Sequence, residues 1–203
     1  MHNHKSRKIL LNLTGYFLPM LFWISVLFGF DTPAIAIMTL IVAVIHELGH
    51  ILALSFFGNG NIVPKGHLTG FRLKSNAVSS YKRELIVLSA GPLANIVASV
   101  LFLPFLIFFG SYGLLFISLN VLTAMSNLIP EEGYDGYGIL TLLRERSGKS
   151  PLPLMRVSFF VSVFFTFFSL YLIGRVGGGF WIFGIFFISV ITKIRNMLKY
   201  DIF

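Results

Sequence analysis

From Thr32 to Phe57 the chain is apolar almost throughout, and Glu47 is its only side chain with a full charge at neutral pH. A helix needs roughly 20 consecutive apolar residues to cross the hydrocarbon core of a bilayer, and this run is long enough. Inside it lies IVAVIHELGHILAL, residues 41–54, which carries His46, Glu47 and His50. Moving a carboxylate from water into hydrocarbon is expensive unless something compensates its charge. The stretch therefore calls for a membrane and for a partner to Glu47.

Comparable apolar runs occur at about 9–30, 85–109, 112–129, 154–174 and 178–197, which predicts about six transmembrane helices. Composition agrees. The 203 residues are 56% hydrophobic and 12% charged, and mean hydropathy is +0.84. A soluble domain has roughly 45–50% apolar and about 25% charged residues. The fold class expected is an all-α integral membrane protein, a single membrane-embedded domain over 1–203. The run 9–30 is too long for a signal-peptide core and is not closed by a small-x-small site, so it reads as a retained first span. There are no cysteines, which excludes disulfides and thiolate metal sites.

The net charge of +8 is distributed in a telling way. All of the 16 lysines and arginines except Arg175 fall in the segments 1–8, 58–84, 131–156 and 193 onward. With about six spans those four segments lie on one side, and the positive-inside rule makes that side cytoplasmic, with both termini there. The basic excess is thus a topological signature that can also attract anionic lipid, and no nucleic-acid partner is expected. The loop 58–84 holds turn signals (Gly58-Asn59-Gly60, Lys65-Gly66) and short alternating stretches. It predicts a small β-hairpin at the membrane surface, either a simple connection or an edge for an extended peptide.

On a helix His46 and His50 share a face, and Glu47 projects about 100° round from His46. That is the geometry of HEXXH, with two metal ligands and one general base. A catalytic zinc needs a third protein ligand and an open position. The candidates lie in NLIPEEGYDGYG, residues 127–138, where Pro130, Gly133 and Gly136 interrupt a continuous helix. Asp135, a short carboxylate on an unwound segment, can turn inward. Glu131 and Glu132, directly after the proline, are rivals, or else ordinary charges facing the cytoplasm.

HELGH in the second span, AGPLAN at 90–95 in the third, and NLIPEEGYDG at 127–136 together resemble the site-2 protease family of intramembrane zinc metalloproteases. The resemblance covers about 32–140, which would be the catalytic core, flanked by the spans 9–30, 154–174 and 178–197. It implies one Zn²⁺ per chain, held by His46, His50 and Asp135, with Glu47 as catalytic base. It matches Asn95 to an asparagine near the site, with a role toward substrate or oxyanion, and Asn127 is a weaker candidate for the same role. The substrate implied is a transmembrane or membrane-adjacent polypeptide, and the form is a minimal one without PDZ or nucleotide-sensing domains. Tyr134 and Tyr137 stand where the family usually has a leucine and a glycine.

The function expected is hydrolysis of a peptide bond in or near a membrane segment. By helix rise His46 lies some 16 Å (about 11 residues) from the cytoplasmic end of its span, so water should enter from the cytoplasm. Two other readings remain. One is a membrane HEXXH protease with a cytoplasmic site and Glu131 as ligand; the other is a non-enzymatic zinc-binding scaffold.

Overall fold

A computed structural model describes residues 33–57, 63–67, 70–74, 80–176 and 180–199. The expected first span, 9–30, lies outside them. The chain divides into two compact units, one up to Leu128 and one from Ile129 onward. The boundary falls inside the expected core 32–140.

In the first unit, α1 (Pro33–Phe57) is followed by strands β1 (Val63–His67) and β2 (Gly70–Lys74), then α2 (Tyr81–Phe102), a 3-10 turn at Leu103–Phe105, and α3 (Leu106–Asn127). The strands pair antiparallel, with Val63 opposite Lys74 and His67 opposite Gly70. Helix α1 packs on α2 and α3, and α2 on α3. The buried positions of α1 include Val42, His46, Gly49, His50 and Ala53, spaced three and four apart on one stripe. Leu48, Ile51 and Leu52 point outward.

This distribution inverts that of a water-soluble helix, whose apolar stripe faces the core. Outward-facing Phe56, Ile107 and Phe108 are 81%, 88% and 79% exposed, which only a hydrocarbon surrounding makes favourable. Three helical stretches among the described residues are long and apolar enough to cross a membrane: Pro33–Phe57, Tyr81–Asn127 and Leu152–Arg175. The expected runs 85–109 and 112–129 both fall in the 47-residue Tyr81–Asn127 stretch. Its break comes at Leu103–Phe105 and at Gly110, whose φ of +49° selects glycine.

The second unit holds α4 (Asp135–Arg146), α5 (Leu152–Val176) and α6 (Phe180–Lys199). Helices α5 and α6 pack together, with the Phe165 and Phe186 rings stacked 4.7 Å apart. Along α5 the fully buried stripe is Ser158, Ser162 and Ser169, while Phe160, Phe164 and Phe167 point outward. Small residues on a packing face let membrane helices approach closely.

Candidate metal centre

His46 and His50 lie one turn apart on the buried stripe of α1, and each ring is fixed by a bond from its Nδ1. His50 Nδ1 is 2.7 Å from the Val87 carbonyl on α2. A carbonyl can only accept, so Nδ1 carries the proton and Nε2 keeps its lone pair. His46 Nδ1 is 2.8 Å from Asn95 Oδ1. The orientation of that amide follows from its other partners, since Asn95 Nδ2 donates to the Val42 carbonyl (3.1 Å) and to Asn120 Oδ1 (2.8 Å). Asn120 Nδ2 in turn donates to the Phe116 carbonyl at 2.9 Å. A relay thus runs from α3 through α2 to His46 on α1, and it leaves His46 Nε2 unprotonated as well.

The two Nε2 atoms face each other 3.2 Å apart. In this tautomer both are acceptors, and two lone pairs at that distance repel unless a cation lies between them. Zinc–imidazole bonds of about 2.0–2.1 Å in tetrahedral geometry put two ligand nitrogens roughly 3.3 Å apart. The donor pair fits a metal ion.

Two glycines make the room. A Cβ on Gly91 would overlap His50 Nε2 and come within 2.7 Å of His46 Nε2, so its absence leaves open the space in front of both nitrogens. A Cβ on Gly49 would lie 2.5 Å from the Ala90 carbonyl oxygen and 2.7 Å from Ala94 Cβ, so glycine is what allows α1 and α2 this close. Pro92, buried in α2, lacks the N–H that would otherwise reach the Leu88 carbonyl, one residue beyond Val87. Glu47 is half-buried, next to His46 and off the ligand stripe.

In the second unit Asp135 is the first residue of α4, preceded by extended Tyr134 (φ −95°, ψ 157°) and by Gly133 at φ +106°. This corrects one sequence expectation. The interruption is confined to Leu128–Tyr134, and Gly136 lies inside the helix, so Asp135 opens a helix and does not ride an unwound strand. A carboxylate in a first helical turn is favoured by the helix dipole. Burial, with the Glu131 charge adding to it, pushes the Tyr134 phenol up to about 12, so it remains a neutral hydroxyl.

Glu131 is a second correction. It is neither a surface charge nor an available ligand, being only 2% exposed. Both of its oxygens accept hydrogen bonds from serines of α5 and α6, and Lys193 pairs with it. Glu132 is exposed, and the Asn127 amide donates to its own helix at the Thr123 carbonyl, 2.9 Å away. Within the first unit, His46 and His50 thus supply two donors for a metal ion.

The sequence reading gave no site role to Asn120, Gly49 or Lys193, and took Gly91 only as part of AGPLAN. Asn120 carried a signal, since an amide within the apolar run LLFISLNVLTAM needs an internal partner.

No protein-family model and no curated protein matches the sequence. Among solved structures the fold is similar to that of a protease. That structure is the Site-2 Protease from Methanocaldococcus jannaschii, with a TM-score of 0.60 at 18% identity, covering 90% of this chain and 87% of that one. At this identity the likeness is one of fold.

Proposed function

We propose that the chain is an intramembrane zinc endopeptidase that hydrolyses a peptide bond in or near the transmembrane segment of another polypeptide. The observation that carries this reading is the His46–His50 pair, with both Nδ1 protons committed elsewhere and both Nε2 lone pairs aimed into one space kept open by Gly91. The site-2 protease fold supports it.

His46 and His50 would hold the ion, with Asp135 as the third ligand. Zn²⁺ bound there would supply Lewis acidity to the scissile carbonyl and to water. Glu47 takes the proton of the attacking water and returns it to the leaving amine as the C–O bond forms and the C–N bond breaks. Asp135 and Glu47 together balance the charge of the ion, which answers the cost of burying Glu47. Asn95 is a positioning residue, because its amide protons are spent on Val42 and Asn120 and its oxygen on His46.

The chain crosses the membrane about six times with both termini on the basic, cytoplasmic side. The hairpin lies at that surface, where its edge can take up an unwound substrate strand. A helical substrate hides its peptide bonds in hydrogen bonds, so substrates carry helix-weakening residues near the cut.

The test is Glu47→Gln. Zinc content and fold should match wild type while cleavage is lost, and mass spectrometry of membranes should show peptides that accumulate only with the variant. Cleavage that survives Glu47→Gln would overturn the mechanism.

A further inference from the structure

Glu131 is a buried charge that the proposed chemistry does not use, and its bonds reach two helices. Oε1 accepts from Ser162 Oγ (2.8 Å), Ser189 Oγ (2.7 Å) and Lys193 Nζ (2.5 Å), and Oε2 accepts from Ser158 Oγ (3.1 Å). Ser158 and Ser162 belong to α5, and Ser189 and Lys193 to α6. Lys193 Nζ also donates to the Ser158 carbonyl (3.2 Å) and to Ser162 Oγ (2.7 Å). The ammonium and the carboxylate are both buried.

The backbone at Glu131 forms a turn. Its N–H donates to the Ile129 carbonyl (2.8 Å), and its carbonyl accepts from the Tyr134 N–H (3.0 Å). The next amide, Glu132 N–H, donates to Ser158 Oγ at 2.9 Å. Tyr134 is the N-cap of α4, and Asp135 follows it. A continuous path of hydrogen bonds thus leads from Lys193 on α6 to the residue that launches Asp135.

A buried ion pair adds little net stability compared with well-packed apolar residues of the same size. An apolar pair could glue α5 to α6 equally well, but it could not hold the main chain of Glu131 in one place. We infer that Glu131 and Lys193 are positioning residues: their buried pair ties the turn Glu131–Tyr134 to α5 and α6, and so aims Asp135. The last two helices then support the segment that carries Asp135. The inference rests on the reading of Asp135 as a ligand.

The test compares two double variants of the full chain with wild type. Glu131→Leu/Lys193→Met removes the tether without leaving a lone buried charge. It should keep wild-type helical content and elution, yet bind zinc at least about tenfold more weakly in chelator competition, the range for lost supporting partners of a metal ligand. Amide hydrogen exchange of the 131–138 segment should rise as well. Glu131→Gln/Lys193→Met keeps an acceptor for Ser162 and Ser189 and should recover most of that loss. Ser189→Ala, a milder change, should raise exchange in the same segment even where the apolar double variant fails to fold. Wild-type exchange in Ser189→Ala and in any folded apolar double variant, with unchanged zinc affinity, overturns the inference. Asp135→Asn separates the two claims. If it keeps wild-type zinc affinity, the ligand assignment falls and this inference with it. If it loses zinc while the apolar double variant does not, the tether alone falls.

Discussion

His46 Nδ1 and Asn95 Oδ1 lie 2.8 Å apart, and that bond decides which nitrogen of His46 faces His50. The Asn95 amide is held from its other side by Asn120 and by the Val42 carbonyl, so it cannot rotate to offer His46 a donor. Asn95→Ala should therefore free the His46 ring and lower zinc affinity by about 10–100-fold, the usual cost of losing a partner that orients a metal-bound imidazole. Asn120→Ala, one bond further out, should cost less. Chelator competition on the purified chain checks both, and equal losses would break the proposed order of the relay.

Gly49 and Gly91 should fail in different ways when changed to alanine. At Gly49 the new methyl meets the backbone carbonyl of Ala90, which cannot move without shifting α2. The expected result is a loss of about 1–3 kcal/mol in stability, typical of overpacking, read as a lower midpoint of thermal unfolding. At Gly91 the methyl meets two imidazole rings, so Gly91→Ala should lose metal with a smaller change in the midpoint. Zinc content and unfolding measured on the same two preparations distinguish these outcomes.

Much of this was legible in the sequence, for identifiable reasons. The helical character of 33–57 follows from an apolar run with no breaker, and the shared face of His46 and His50 from their spacing of four. The turn before Asp135 was marked by Pro130 and Gly133. Residues coupled across helices were not legible. Nothing within NLIPEEG says that Glu131 meets a lysine more than sixty positions later (62 apart), because a pair that distant leaves no local pattern. Hence Glu131 read as a rival ligand or a surface charge. Gly91 read only as part of AGPLAN, because the close approach of the His46 and His50 rings exists only after α1 and α2 have packed.

Removing the metal should lower both activity and stability. A ligand that binds only the folded chain adds stability by mass action, about 2.7 kcal/mol at 100 times its dissociation constant. Chelation should therefore lower the unfolding midpoint of wild type and of Glu47→Gln alike, and restored zinc should return it. His50→Ala should show the lower midpoint from the start and no further response to chelator. A Glu47→Gln variant that no longer responds would mean that Glu47 is needed to hold the metal, against its assignment as a base.

The buried pair predicts a large stability loss for the single change and a much smaller one for the double change. Lys193→Met leaves the Glu131 carboxylate buried among hydroxyls without its counter-charge, and breaking a buried pair this way costs about 3–5 kcal/mol. Glu131→Leu/Lys193→Met removes both charges and should recover most of that cost. Unfolding of the two variants in the same detergent, scored against wild type, shows whether the energies couple. Additive losses would mean that the two side chains act independently.

The absence of cysteine makes topology directly testable, because one introduced thiol is the only one in the chain. The basic segment 131–156 is expected on the cytoplasmic side and the glycine-rich turn around Gly177 outside, since Arg175 is the sole arginine or lysine there. In intact cells a membrane-impermeant maleimide should label Gly177→Cys and spare Ser147→Cys, and in inverted vesicles the pattern should reverse. Ser147 is exposed just beyond α4, so failure to label it in inverted vesicles could not be blamed on burial within the protein. Labelling of both positions from the same side would remove the six-span arrangement, and with it the inference that water and substrate reach His46 from the cytoplasm.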